Sequence, residues 1–296
     1  MRIDDLLRRQ NGVFSRDQAR SCGVSPRALR GRVARGSLIE VFPGVYRSAA
    51  HPWTVRARVV AASLWARPNG LLDGPAAAFV LGMLSRLPGT TAPVGLTVPH
   101  SSRRRAPAGI RLRRRDLDAP DRLVHNGIGC TARGLTALES AIVLPDGAAF
   151  LDRVLQQGLA LDEVYAAYTR YVGAAGAPRA YALVVEAADR ADSRAERRLI
   201  GHLRRAGIDG WVRGLPFGPW FIDVAFPAVR LAVEVDGWAF HSGPDRFRRD
   251  RRKQNRLVEA GWTVLRFTWQ DIRDHPAETL RRIRAALARS SSRERG

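Results

Sequence analysis

The chain has 296 residues, 45% of them hydrophobic, which suits two or three folded domains and excludes wholesale disorder. Its net charge of +21 points to a polyanionic partner, with nucleic acid first among them. Only Cys22 and Cys130 occur, so neither a disulfide framework nor a cysteine-built zinc site is possible, which suits a reducing cytoplasm.

Of the 49 Lys and Arg residues only Lys253 is a lysine; a genomic bias toward arginine codons would discount that count but would not account for the shortage of Asp and Glu. The N-terminal MRIDDLLRRQ has no apolar signal core. The longest apolar run, near Leu71 to Leu84, is interrupted by Asp73, Gly74 and Pro75, so no membrane span is expected.

Residues 1–48 suggest a winged helix-turn-helix. Ile3, Leu6 and Leu7 fit a short first helix. Ser15 with Gln18 forms a capping-box pattern that opens a second. Cys22-Gly23-Val24 follows as the turn, then Ser25 as N-cap and Pro26 at the first helical position open a third. That helix carries Arg27, Arg30, Arg32 and Arg35 around Leu29 and Val33, the arrangement that enters a major groove. Leu38–Val41 and Val45–Arg47 flank Pro43-Gly44 as a small hairpin, the wing. A generic three-helix mini-domain with solvated arginines is the plainer alternative.

The stretch GVFSRDQARSCGVSPRALRGRVARGSLIEVFPGVYR resembles the N-terminal domain of AbiEi-type antitoxins and transcriptional regulators. The likeness continues more weakly to about residue 145 through DGPAAAFVLGML, GLTVPH and GCTARGLTALESA. It implies an α/β middle region, operator DNA as partner and a toxin–antitoxin or phage-defence setting, with a toxin or other protein as a further partner.

In that middle region, 49–145, Val55, Val59 and Ala62 suggest a helix, and Asp73 and Pro75 cap another. Strands are expected at Gly95–Val98 and Ile110–Arg113, joined as a hairpin by Ser101–Arg105. Thr131 is the expected cap of a helix running to Leu144. The arginine clusters 103–105 and 111–115 either track a phosphate backbone or decorate a solvated hairpin. Helices follow near Phe150–Gln157, Leu161–Tyr171 and Arg179–Ala188, making 146–188 a helical connector.

A C-terminal domain is expected over 189–290, with 291–296 a loose tail. Ser193 and Glu196 form an S-x-x-E capping pattern, yet Glu196 also shares the stripe of Leu199, Ile200 and Leu203. It therefore either caps or reaches toward the acids that follow. These lie in FIDVAFPAVRLAVEVDGWAFH. If Pro227–Arg230 turns the chain, Phe226 falls opposite Leu231 and Asp223 opposite Glu234. Leu231, Val233 and Val235 then share one face, and Glu234 and Asp236 the other. Carboxylates so close repel, and a divalent cation with a preference for hard oxygen ligands, Mg²⁺ or Mn²⁺, is the usual compensation. A helix from Pro244, a strand Thr263–Thr268 and a helix Ala277–Ala288 complete the chain.

SRAERRL, FIDVAF, LAVEVDGWAFH, RRDRRKQNRL and GWTVLRFTWQDI together resemble the PD-(D/E)xK nuclease superfamily, in its very-short-patch-repair-like branch. The fold class expected overall is α/β, multidomain, ending in a restriction-endonuclease-like α/β/α core. The resemblance implies Asp223 as principal metal ligand, with Glu234 and the carbonyl of Val235 completing the protein's share. It implies His241 near the scissile phosphate as general acid or base or as its stabiliser, Asp250 orienting it, and Trp238 and Phe240 either as wedges into the base stack or as core. The superfamily's usual lysine after E-x is replaced by Asp236, which either binds metal or caps the turn at Gly237. Arg248, Arg249, Arg251, Arg252 and Lys253 are expected to hold the strand by its phosphates without reading bases. A DNA-binding, metal-dependent endonuclease is the first functional expectation, with RNA left open as substrate; a non-catalytic antitoxin-like regulator built on the same fold is the second.

Overall fold

The computed structural model describes residues 3–89, 91–236 and 244–293, with side chains described for all of these but 236, 244–250 and 290–293. The chain divides into two compact units, 1–183 and 184–296.

The first unit opens with α1 (Ile3–Arg9), β1 (Val13–Ser15), α2 (Arg16–Ser21) and α3 (Pro26–Ala34), then β2 (Leu38–Phe42) and β3 (Val45–Ser48). The strands form an antiparallel sheet in the order β1-β3-β2. The local sequence sets the helix starts as expected: the Ser15 hydroxyl accepts the Gln18 N–H while the Gln18 side chain accepts the Ser15 N–H. Ser25 accepts the Ala28 N–H one residue before Pro26. Gly44, at φ +77°, makes the turn between β2 and β3, a backbone conformation that glycine adopts without a Cβ clash. Phe14, Ala19, Leu29, Leu38 and Tyr46 form the small core between these helices and the sheet.

Next come α4 (Val55–Ala66), β4 (Leu71–Leu72), α5 (Gly74–Val80), β5 (Val94–Val98), β6 (Ile110–Arg114), β7 (Arg122–His125), β8 (Ile128–Thr131), α6 (Arg133–Val143), α7 (Gly147–Gln156) and α8 (Leu161–Tyr171). The five strands order as β6-β5-β4-β8-β7. Here the structure corrects three expectations. β5 and β6 are parallel, Val94 pairing with Ile110 and Val98 with Arg114, so residues 99–109 cross over rather than turn a hairpin. Asp73 stands at the N-cap of α5 but makes no capping bond; its carboxylate is fully buried and accepts Thr97 Oγ1 instead. Thr131 does not cap α6 either, because Ala132 holds that position and the buried Thr131 hydroxyl pairs with Thr136.

The 29-residue α9 (Ala177–Arg205) is unbroken. Ser193 and Glu196 lie inside it, so the S-x-x-E pattern caps nothing: an interior residue already has its N–H paired along the helix. The second unit, from residue 184, continues with β9 (Val212–Phe217), β10 (Trp220–Phe226), β11 (Leu231–Asp236), α10 (Pro244–Glu259), β12 (Thr263–Thr268), α11 (Trp269–Asp274) and α12 (Pro276–Arg293). Its sheet orders as β12-β11-β10-β9, with β11 and β12 parallel and the other pairs antiparallel. Phe226 lies opposite Leu231 and Val224 opposite Val233, the register expected; a short turn at Pro227–Val229 and a left-handed Arg230 (φ 44°) close the hairpin.

Alternation along β10 and β11 builds a layer on each side of this sheet. Val224, Phe226, Leu231, Val233 and Val235 pack on Ala195, Leu199, Ile200 and Leu203 of α9 and on Ile283 and Ala286 of α12. Ala225 and Ala232 face the other way, onto Leu257 of α10. The result is a helix–sheet–helix sandwich, the restriction-endonuclease-like architecture that the sequence motifs imply. No described helix is long and apolar enough to cross a membrane.

Candidate functional site

Asp223 and Glu234 sit on neighbouring strands, on the face of the sheet toward α10. Val224 and Val233 pair across β10 and β11, so the residue before the first and the residue after the second both turn away from the α9 layer. Glu234 is buried and Asp223 largely so. The backbone N–H of Val235 donates to Asp223 Oδ2 at 2.8 Å, which fixes the carboxylate against the strand. Burial, and next the like charge of Glu234, push the Asp223 pKa up to about 7; Lys253 and the Val235 N–H oppose the rise. Among the described residues, the buried Glu234 Oε1 has no hydrogen-bond partner. Two carboxylates side by side, one with an orphaned oxygen, form a donor set that suits a hard divalent cation. Among the described residues no group of three or more His, Cys, Asp or Glu converges to hold a metal.

Lys253 departs from expectation. From the sequence it belongs with the cations that grip phosphates at the surface. In the structure its ammonium donates to Glu234 Oε2, and only 13% of the side chain is exposed. The signal was present in the sequence as spacing. Lys253 precedes the buried Leu257 by four residues and so shares its face of α10. Glu196 is ion-paired with Arg213 of β9 at 3.0 Å, a partner that sequence reasoning missed, and it adds to the charge felt by Asp223. Arg252 is exposed. His241, Trp238 and Phe240 lie outside the described residues, as do the side chains of Asp236, Arg248, Arg249 and Asp250.

In the first unit Arg27, Arg30 and Arg35 are exposed on α3 and at its C-terminal end, while Leu29 is buried beneath them. Arg32 is half-buried. The middle arginines behave differently, and neither reading offered for them holds as a whole. Arg111 pairs with Asp73 at 3.1 Å, and Arg113 and Arg115 converge on Glu139. Arg104 donates to the carbonyls of Trp65 and Arg67 at 2.6 Å each and lies over the Trp65 ring. These guanidinium groups are occupied in tying β6 and its preceding loop to α4, α5 and α6. Burial, with Asp73 nearby, raises the Glu139 pKa, and Arg115 opposes the rise.

Comparison with known proteins fits this division. Residues 1–49 match the family described as "Transcriptional regulator, AbiEi antitoxin", and residues 196–287 match the family described as "REase_MTES_1575". The chain thus joins an AbiEi-type regulator segment to a restriction-endonuclease-like domain. Two proteins of Mycobacterium tuberculosis are each 29% identical over 274 residues, which covers 88% of this chain and 96% of theirs. They are "Uncharacterized protein MT2308" of strain CDC 1551 / Oshkosh and "Uncharacterized protein Rv2248" of strain ATCC 25618 / H37Rv. The crystal structure of the RV2827C protein, also from M. tuberculosis, aligns with a TM-score of 0.34 at 18% identity, over 62% of this chain and 79% of that one.

Proposed function

We propose that the protein binds DNA through an N-terminal winged helix-turn-helix and hydrolyses phosphodiester bonds at the Asp223–Glu234 pair of its C-terminal domain, within a defence or toxin–antitoxin module. The observation that carries the reading is the pair itself: two carboxylates on adjacent strands, one raised in pKa by burial and next by the other's charge, and one with a buried oxygen left without a partner among the described residues. A purely structural sheet gains nothing from that repulsion; Lys253 balances one charge of the pair, and burial of the second is costly without a further cation.

Asp223 and Glu234 would hold Mg²⁺ or Mn²⁺, with the Val235 carbonyl alongside. The ion, when bound, supplies an acidified water and a counter-charge for the phosphate. The chain's own part is to aim the Asp223 carboxylate through the Val235 N–H, and to keep the pair on a strand interior where a shift of position is resisted by packing. In the reaction a water oxygen bonds to phosphorus as one P–O ester bond breaks; the water's proton goes to solvent and the departing alkoxide takes one up. His241 as general acid or base, Asp250 as its orienter and Asp236 as a further ligand enter from the sequence alone. Arg27, Arg30 and Arg35 would meet DNA from α3; Arg248, Arg249 and Arg252 would hold phosphates beside the site.

Supercoiled plasmid incubated with purified protein and Mn²⁺ or Mg²⁺ tests this. Wild type is expected to nick it and Asp223→Ala is not; equal inertness of the two at high protein removes the hydrolytic reading. The second reading, a non-catalytic regulator, draws on Lys253 already balancing Glu234. It expects operator binding that survives loss of Asp223 and Glu234 but fails on Arg27→Ala or Arg30→Ala.

A further inference from the structure

Arg111, Arg113 and Arg115 alternate along β6 and the residue just past it, so all three turn to one face of the five-stranded sheet. There they meet Asp73, at the start of α5, and Glu139 of α6, whose side chains are 0% and 2% exposed. Three guanidinium groups against two carboxylates leave one positive charge unbalanced. Elsewhere in the first unit Arg170 forms a completed pair with the buried Asp121: two prongs at 2.8 and 2.6 Å, one to each oxygen. Asp73 is complete as well, accepting Thr97 Oγ1 at 2.8 Å and Arg111 Nη2 at 3.1 Å on separate oxygens. Glu139 is not. Its Oε1 takes both Arg113 and Arg115, while among the described residues the buried Oε2 accepts nothing. Arg115 spends Nη1 on Glu139 at 2.6 Å and Nη2 on Thr97 Oγ1 at 3.1 Å; its buried Nε–H likewise finds no described partner. One acceptor and one donor stay open within a single ion pair, and each is costly to leave so. Arg111 and Arg113, 42% and 33% exposed, are the members of the cluster that meet solvent.

A ligand that completes this set is a small anion with acceptors for guanidinium groups and one hydrogen to donate to a carboxylate. Orthophosphate meets both demands, as does a phosphate monoester that keeps its second proton. Sulfate and the internal phosphodiester of a nucleic acid have the acceptors but no hydrogen, and would set a bare oxygen against Glu139. We propose that Arg113, Arg115 and Glu139 form a binding site for a protonated phosphate, free or as a terminal monoester, in which the guanidinium groups donate to phosphate oxygens and the P–OH donates to Glu139 Oε2. The site does not depend on the hydrolytic reading of Asp223 and Glu234, and it rejects the phosphodiester backbone.

Isothermal titration calorimetry on the full-length protein at pH 6, with EDTA present and ionic strength fixed by NaCl, tests this. The ligands are orthophosphate, 5′-AMP, sulfate and dimethyl phosphate; at this pH about half of a phosphate monoester still carries its second proton. Orthophosphate is expected to bind at least about 100-fold more tightly than sulfate or dimethyl phosphate, because a site built to accept a hydroxyl rejects an analogue that lacks it. Tighter binding of 5′-AMP than of orthophosphate assigns the monoester as the natural form, and equal or weaker binding assigns the free ion. Arg113→Ala is expected to lose at least about tenfold in orthophosphate affinity. In Glu139→Gln, whose amide donates, sulfate is expected to come within about threefold of orthophosphate. Circular dichroism confirms that both variants fold; should neither do so, the wild-type series alone decides. Wild type that binds sulfate within about threefold of orthophosphate overturns the proposal, as does an orthophosphate affinity unchanged in Arg113→Ala. No heat with millimolar orthophosphate overturns it too, and leaves the two open groups to buried water.

Discussion

Replacing Asp223 by Asn removes the charge while keeping an oxygen to accept the Val235 N–H. The consequence follows from linkage. The Asp223 pKa in the fold is about 7 against an ordinary value of 3.8. An acid whose pKa is raised on folding binds its proton more tightly in the native state, so stability falls as pH rises between the two values. The difference corresponds to about 4 kcal/mol for the fully ionised group, taking about 1.4 kcal/mol per tenfold change in proton affinity. At pH 5 about 2 kcal/mol of this is already felt, and at pH 8 nearly all of it. Changes in packing and hydrogen bonding caused by the amide do not depend on pH. The stability of Asp223→Asn relative to wild type should therefore grow by about 2–3 kcal/mol from pH 5 to pH 8 without metal. Urea unfolding in EDTA measures it by tryptophan fluorescence, since five of the seven tryptophans fall in the second unit. A difference that stays flat across this range, or shrinks, refutes the account of the pair as a repulsive site awaiting a cation.

Glu139→Gln leaves Arg113 and Arg115 facing a neutral amide and should cost about 3 kcal/mol, read from thermal unfolding of the first unit. Gly95→Ala puts a Cβ 2.2 Å from Asp73 Oδ1 and 2.7 Å from Arg111 Nη2. A loss of about 1–3 kcal/mol follows from that overpacking, and adding Asp73→Ala should recover part of it, which additive mutations would not do. Arg27→Ala and Arg30→Ala should weaken duplex binding and each reduce the slope of log affinity against log salt by about one, measured by fluorescence anisotropy between 50 and 200 mM NaCl; an unchanged slope removes α3 from the interface.

What the sequence made legible was mostly local. The Ser15–Gln18 box, the Ser25-Pro26 start and the Phe226–Leu231 register each depend on residues within a few positions of one another, and the structure has all three. The failures arose where distant partners decide. Ser193 and Glu196 offer a cap, but α9 runs through them because Ala195, Leu199 and Leu203 bury one continuous stripe. β6 reads as half of a hairpin until Val94–Val98 is seen to pair with it in parallel, and that pairing sends Arg111 and Arg113 to carboxylates on α5 and α6. Thr131 has the chemistry of a cap but spends its hydroxyl on Thr136. The acidic pair was visible because its two members are joined by one tight turn. Lys253 was not visible as its companion, because the connection runs through the packing of α10 on the sheet.

The position of β6 at the end of its five-stranded sheet also has a bearing on the protein's behaviour in a crowded solution. An outermost strand has free peptide groups and invites a foreign strand to dock. Arg111, Arg113 and Arg114 punctuate this one at three of its five positions, and the two Arg113 and Arg111 side chains are fastened to Glu139 and Asp73. An incoming chain would have to bury guanidinium groups that cannot swing aside, so the same ion pairs that hold the sheet together discourage it from recruiting its neighbours into fibrils.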